Sequence, residues 1–433
     1  MCYAIPGQVK SFDGKFVLVD YFGEQKKAIN ELSALKVGDY VYAQGGFVIT
    51  KVSQSEALQT LETWKDLFFE LKDIDDRSVK DMPWAGAKFA KVRDMFDCVS
   101  ADGKISLQDL QYLLSSKDAG EREFIRNAAN QSRHKYHGNS CCVHGIIEIG
   151  NVCDQVCHYC GISRLNTSLT RYRMSKEEIL ESVRVAVEDY GFKALVLQSG
   201  EDADRPIIEL VDIVTEIKKR FGVLIFVSFG EVGREGLEQL YTAGARGLLL
   251  RFESSNPNIY QELHPGSNLD DRLKDLRYAN ELGYLIITGS LVGLPGQTAE
   301  DISRDIQLAG ELNVEMLSMG PFLPHPHTPL AHNLPPTKEA VVQVLAAARF
   351  YLPSHVKILV TTGLETLNAE ARELAFRSGA NSMMLNVTPQ EKKLLYEIYP
   401  DRAHQNESLA VQIDSAKNLL QSLGRAPTDL SFR

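Results

Sequence analysis

No cysteine follows Cys160 in this chain of 433 residues, and only seven occur in all. So sparse and odd a set argues against a disulfide framework and fits a reducing cytosol. Long runs of lysine and arginine are also missing. The formal net charge is −10 and the pI is near 5.6, which argues against nucleic acid or an anionic membrane as the main partner. No apolar stretch approaches transmembrane length, and the N-terminus lacks the basic-then-apolar layout of a signal peptide. These absences predict a cytoplasmic protein, longer than one ordinary domain.

Three of the seven cysteines share one short stretch, Cys153-Asp154-Gln155-Val156-Cys157-His158-Tyr159-Cys160. Thiolates at i, i+4 and i+7 on one loop can converge on a single centre, and thiolates are the soft ligands that iron–sulfur clusters select. A four-iron cubane needs four ligands, so three leave one iron open to a bound molecule. A zinc site is the alternative, with His134 or His137 as the fourth ligand, although the spacing matches no zinc pattern. The triad, with an aromatic before its last cysteine, resembles the signature of radical S-adenosylmethionine (SAM) enzymes. That resemblance implies a [4Fe-4S] cluster whose open iron takes the amino and carboxylate groups of SAM. It also implies a requirement for low oxygen.

In chain order, residues 1–75 read as a small all-β module with a helix. Gln8–Phe12 and Phe16–Phe22 are extended runs joined at Asp13-Gly14, followed by Lys26–Asn30 and a longer run, Asp39–Val52, containing Gly45-Gly46. Ser53 and Glu56 form a capping-box pattern. Leu58, Leu61, Trp64, Phe68 and Leu71 then recur at helical spacing, a stripe expected to pack on the β module. Residues 76–140 are polar, with a helical pattern. From 141 to 433 strands and helices alternate, the strand candidates being Ile146–Ile149, Ala194–Gln198, Leu224–Ser228, Gly247–Phe252, Leu285–Ser290, Met316–Met319, Ile358–Thr361 and Ser382–Leu385. Cys141 and Cys142 fall just before the first of these and read as packed thiols. Eight such units predict an α/β fold built on a complete (βα)8 TIM barrel, with its site on the loops after the strands. The cysteine loop follows the first strand.

The later strands end in polar and glycine-rich runs: Gln198-Ser199-Gly200-Glu201-Asp202, Ser228-Phe229-Gly230-Glu231, Arg251-Phe252-Glu253, Gly293-Leu294-Pro295-Gly296-Gln297 and Gly320-Pro321-Phe322-Leu323-Pro324-His325-Pro326. With Glu148, Arg171-Tyr172-Arg173-Met174 and Gly379-Ala380-Asn381, they closely resemble the HydE family over roughly residues 80–430. HydE is the radical SAM maturase of [FeFe]-hydrogenase, related to biotin synthase and methylornithine synthase. The resemblance implies that Cys153, Cys157 and Cys160 hold the cluster. It implies SAM contacts from Tyr159, Ser199, Gly200, Glu201, Ser228, Glu253, Arg272 and Leu294, and a substrate cavity with His144, Arg251, His325, Thr361 and Thr362. The family often has Arg-His-Glu where this chain has Arg251-Phe252-Glu253, an arginine at His144 and an aspartate at His327. Some relatives carry C-terminal cysteines for an accessory cluster; with none after Cys160, a single cluster is expected.

The N-terminal module carries a second resemblance. Met1-Cys2-Tyr3-Ala4-Ile5-Pro6-Gly7-Gln8-Val9, Val37-Gly38-Asp39-Tyr40-Val41 and Gly46-Phe47-Val48-Ile49 resemble the HypC family, small barrel chaperones of [NiFe]-hydrogenase maturation. It implies that Cys2 is a ligand of an iron unit, although Gln44 stands where the family often has histidine. Two enzyme readings follow. One is a radical SAM maturase acting on a small molecule or metal complex alongside other hydrogenase maturation proteins. The other is a mutase or lyase of a free amino acid, as in the methylornithine synthase branch. A third, a metal-binding scaffold without turnover, is disfavoured by the intact triad.

Overall fold

The computed structural model describes residues 4–80 and 86–430. Five strands at the N-terminal end (Gly7–Asp13, Phe16–Tyr21, Glu24–Ile29, Tyr40–Gln44 and Phe47–Val52) close into a small barrel. The long Asp39–Val52 run is split because Gly45 and Gly46 both take positive φ, +54° and +82°. That is the backbone of a tight two-residue hairpin turn. A side chain at Gly45 would also strike Leu224 and Leu285 of the neighbouring domain.

Helix α1 (Gln54–Lys80) packs Trp64, Phe68 and Leu71 onto Val9, Val19 and Val41 of this barrel. Leu58, expected in the same stripe, is 48 % exposed. The buried line instead runs through Ala57, Thr60, Trp64 and Phe68, and one residue along a helix turns Leu58 about 100° off it. At the far end of α1, buried Asp75 receives both Nη groups of Arg133 (2.6 and 2.9 Å). Arg133 lies in the helix Ala119–His137. His134 Nδ1 is 2.9 Å from Asp75 and Arg425 Nε is 3.4 Å from it. This cluster ties the N-terminal module to the larger domain.

The larger domain is a closed barrel of eight parallel strands: Ser140–Gly150, Ala194–Ser199, Leu224–Ser228, Gly247–Leu249, Leu285–Thr288, Met316–Leu317, Lys357–Val360 and Ser382–Asn386. The eighth pairs with the first from Ser382–Cys142 to Asn386–Ile146 and closes it. The first strand therefore begins at Ser140 rather than Ile146, taking in Cys141 and Cys142. Its polar opening residues carry no apolar run; they are strand because the eighth strand and Ala426–Pro427 pair with them. The fourth and sixth strands end earlier than their apolar runs, at Leu249 and Leu317.

The small barrel sits over the N-terminal mouth of the large one. Tyr42, Phe47 and Ile49 pack against Val196, Leu224, Phe226 and Met316, and Arg246 Nε reaches Glu31 at 2.7 Å. The cysteine loop lies at the opposite, C-terminal mouth, where barrels of this kind place their chemistry. Among the described residues no helix is long and apolar enough to cross a membrane.

Candidate active site

After the first strand the chain runs from Asn151 to Ser175 with no helix or long strand, held instead by hydrogen bonds from all sides. Asp154 N–H donates to Glu201 O (2.8 Å), His158 N–H to Leu263 O (2.9 Å) and Gly161 N–H to Ile398 O (2.8 Å). Arg171 donates to four carbonyls, those of Asn151, Ile162, Ser163 and Asn166, at 2.6–3.1 Å. These bonds hold the backbone of the loop that carries the three thiols.

Cys153, Cys157 and Cys160 line a cavity of about 310 Å³. Their sulfurs do not all lie within 4.8 Å of one another. Two sulfurs on one zinc ion, each about 2.3 Å from it, can be at most about 4.6 Å apart. That spread suits a cluster with one iron per thiolate better than a single shared ion. The histidines of the zinc alternative are elsewhere: His134 is bound to Asp75 and His137 lines the opposite end of the barrel. Burial and the neighbouring cysteines raise Cys157 well above the usual thiol range, and burial with Cys153 pushes Cys160 up to about 12. Such a trio is stable as thiolates only around a positive centre.

The same cavity takes in Tyr159, Ser199, Gly200, Glu201 and Ser228. Arg272 enters from the helix Leu269–Leu282, its Nε on Glu231 (2.7 Å) and its Nη1 on the Arg251 carbonyl (3.0 Å). Its Nη2 lies 4.0 Å from Glu201. Glu201 also accepts from Gln155 Nε2 (2.7 Å), and burial raises its carboxyl against the pull of Arg272. Gly200 is dictated by the cysteine loop itself, since a Cβ there would sit 2.1 Å from Val152 O and 2.7 Å from Cys153 Cβ.

Glu253 is 9 % exposed and adopts φ +64°, a left-handed conformation rare for a side chain of its size. Its backbone is pinned by N–H to Gly289 O (3.1 Å) and by Leu291 N–H to its own carbonyl (3.0 Å). The carboxylate stands 3.1 Å from Arg251. Tyr159 Oη and His264 Nε2 share a hydrogen bond of 3.2 Å. Burial and Arg272 hold that imidazole near pKa 3, so it is neutral.

Arg251, Thr361 and Thr362 line the wall beyond. Three expected members lie outside the cavity. Leu294 packs behind it with Leu263, Leu291 and Phe322. His325 is buried beneath the cysteine loop, its N–H donating to Tyr159 O (2.9 Å) and its ring against Gly161. His144 is at the other end of the barrel. It precedes Glu148 by four residues, about 13 Å along a strand, and it is Glu148 that reaches this cavity. Cys2 lies outside the described residues.

Reading the strand ends missed the groups supplied by the C-terminal segment. Arg402 Nη2 pairs with Glu148 at 2.5 Å, both almost fully buried, beside Tyr396 and Tyr399. Glu148 had a signal, a carboxylate inside an apolar strand; Arg402, in a segment without periodicity, had none.

Comparison with known proteins fits this geometry. The radical SAM superfamily matches residues 147–309, the biotin and thiamin synthesis associated domain 318–421, and the HupF/HypC family 1–64. The [FeFe] hydrogenase maturase subunit HydE of Thermotoga maritima is 40% identical over 318 residues, 73% of this chain and 90% of that protein. A 3-methylornithine synthase of Methanosarcina acetivorans is 27% identical over 67% of this chain and 82% of its own length. Among solved structures, methylornithine synthase superposes with a TM-score of 0.68 at 23% identity, covering 77% of this chain and 97% of that one. The chain belongs to the HydE family of radical SAM enzymes, with a [4Fe-4S] cluster and SAM as cofactors and an HupF/HypC-family module at its N-terminal end.

Proposed function

We propose that this enzyme acts on a small molecule or small metal complex during assembly of a hydrogenase-type metal centre, its N-terminal module presenting or receiving an iron unit through Cys2. The observation that carries this reading is the 40% identity to HydE across 90% of that maturase. In this reading Cys153, Cys157 and Cys160 hold the cluster, which when bound supplies the electron that splits the SAM sulfonium to a 5′-deoxyadenosyl radical. Arg272 clamps the SAM carboxylate through Nη2, its other donors being committed to Glu231 and the Arg251 carbonyl. Glu201 and the Ser199-Gly200 backbone receive the ammonium, and the backbone-pinned Glu253 receives the ribose hydroxyls. Arg251, Thr361 and Thr362 face the substrate.

Arg272→Ala is expected to weaken SAM binding by roughly 10- to 100-fold, since a charge-assisted contact is worth about 1.5–3 kcal/mol. The cluster should still assemble, because the donors of Arg272 engage Glu231 and the Arg251 carbonyl and not the cysteine loop. Equal SAM affinity in an anaerobic titration would remove Arg272 from the site.

The maturation reading is tested by adding the anaerobically reconstituted enzyme to a maturation mixture lacking only HydE and measuring hydrogen evolution by the target hydrogenase. Activity restored by wild type supports the proposal. A second reading, rearrangement of a free α-amino acid, is favoured by the methylornithine synthase likeness and by Arg251 and Arg402 in one cavity. Isomerised amino acid in the product mixture, without restored hydrogenase, would select it.

For the module, Cys2→Ser is expected to leave 5′-deoxyadenosine formation unchanged while abolishing transfer of iron to a partner. The small barrel covers the mouth opposite the cysteine loop, and a hydroxyl is a poor soft-metal ligand. Anaerobic pull-down with iron analysis reads the transfer. Equal iron in both proteins would remove the carrier role, and loss of SAM cleavage would mean that the two ends work as one site.

A further inference from the structure

The N-terminal mouth of the barrel holds a second cavity, of about 390 Å³, which the proposed reaction does not use. The Gln44–Gly46 turn of the small barrel covers it, and the first strand and the chain's last described residues form its wall. Alternate residues of a strand face opposite sides. Cys141 and Val143 accordingly enter the core outside the barrel, while Cys142 and His144 face the cavity. Asp429 arrives from 285 residues away, brought in as Ala426–Pro427 pairs with Ser140–Cys141 and Thr428 N–H donates to Cys141 O (2.8 Å).

The outcome is a thiol, an imidazole and a carboxylate whose ligand atoms all lie within 4.8 Å of one another. All three side chains are buried: Cys142 and His144 are 4 % exposed and Asp429 2 %. His144 Nε2 lies 3.4 Å from Asp429 Oδ2, and its Nδ1 has no hydrogen-bond partner among the described residues. A buried polar nitrogen left in that state is costly unless something else binds there. The groups around the trio orient it as an outer shell orients ligands. Val143 N–H (3.2 Å) and Thr428 Oγ (2.7 Å) both donate to Asp429 Oδ2, and the Phe226 ring lies 5.0 Å from the His144 ring.

We propose that Cys142, His144 and Asp429 form a second metal site, for one divalent first-row transition ion. Thiolate, imidazole and carboxylate together suit a borderline-soft ion and exclude calcium and magnesium, which take oxygen. Three protein ligands leave coordination positions open toward the cavity, which is also lined by Lys26 and Lys357, paired with Glu24 and Glu315. Binding releases the Cys142 proton to solvent. The site is separate from the thiol triad: Ile146, Leu249 and Met384 floor the upper cavity, and Phe226, Ile287 and Met316 line the lower one, so apolar side chains stand between them. It is also independent of the maturase reading, and either stands if the other fails.

The test uses the full chain with its [4Fe-4S] cluster in place, so that the triad is occupied, equilibrated anaerobically with Co²⁺ and desalted. Elemental analysis and the melting temperature with and without cobalt are the readouts. Wild type and Cys2→Ser should each retain about one cobalt per chain and melt higher with it, as expected for an ion that binds the folded state. Cys142→Ser and His144→Gln should bind at least about tenfold more weakly, with no cobalt-dependent rise in melting temperature. Each variant is its own control for folding, and His144→Gln carries the comparison if Cys142→Ser does not fold. Absence of retained cobalt in wild type would overturn the proposal. So would equal retention in Cys142→Ser and His144→Gln, or retention there with loss in Cys2→Ser, which would move the ion to the N-terminal cysteine.

Discussion

Cys157→Ala will abolish cluster incorporation and, with it, SAM cleavage, while the chain stays folded. In the proposed site each cysteine of the triad is the sole protein thiolate for one iron, and no further cysteine follows Cys160 to replace it. The fold survives because the loop does not depend on its thiols. Its shape is held by the four-carbonyl clamp of Arg171 and by the His158–Leu263 and Gly161–Ile398 backbone bonds. Alanine also removes a buried thiol that burial keeps protonated without metal, so the apoprotein loses no charge. Iron and labile sulfide after anaerobic reconstitution, with circular dichroism as the folding control, measure the effect. Full cluster iron in Cys153→Ala, Cys157→Ala or Cys160→Ala would contradict the assignment.

The largest effect on stability is expected from Asp75→Ala. Arg133 is wholly buried and Arg425 is 2 % exposed, and Asp75 is the carboxylate that faces both. Removing one partner of a buried ion pair and leaving the other uncompensated costs about 3–5 kcal/mol. Because Asp75 lies on α1, loss of the cluster should loosen the small barrel first, and denaturant titration should show an earlier transition for the module. Unchanged unfolding would mean that the arginines find other partners.

The same group predicts a pH dependence. Burial works against the Asp75 charge, but the His134 hydrogen bond and the charges of Arg133 and Arg425 outweigh it and hold its pKa at about 2, against 3.8 for an ordinary aspartate. The folded value is the lower one. Its contribution, about 2 kcal/mol, is therefore complete above about pH 4 and is lost as pH falls toward 2. Wild type should lose this increment over that interval, and Asp75→Ala should not.

Much of the site could be read from sequence because a barrel puts every strand's end at the same mouth. Once eight apolar runs are recognised, the residues just after them are neighbours, which is how Ser199, Glu201, Ser228, Arg251, Glu253 and Thr361 come to line one cavity. The logic fails where a residue's position along its strand matters. His144 and Glu148 share a strand and a face, yet they serve opposite mouths, because the first strand begins at Ser140 through pairings that no local pattern encodes. It also fails for groups brought in by the chain's C-terminal part, where Arg402 meets Glu148 and Asp429 meets His144 across more than 250 residues. His325 follows a strand as the others do, but its backbone N–H is tied to Tyr159 O, which holds it under the cysteine loop.

The most direct test of the account is the fate of SAM on the reconstituted enzyme. Dithionite should reduce the cluster, and chromatography should detect 5′-deoxyadenosine and methionine in equal amounts from wild type and none from Cys157→Ala. Intact SAM alongside a fully reduced cluster would contradict the assignment of this cavity as the place where SAM is cleaved.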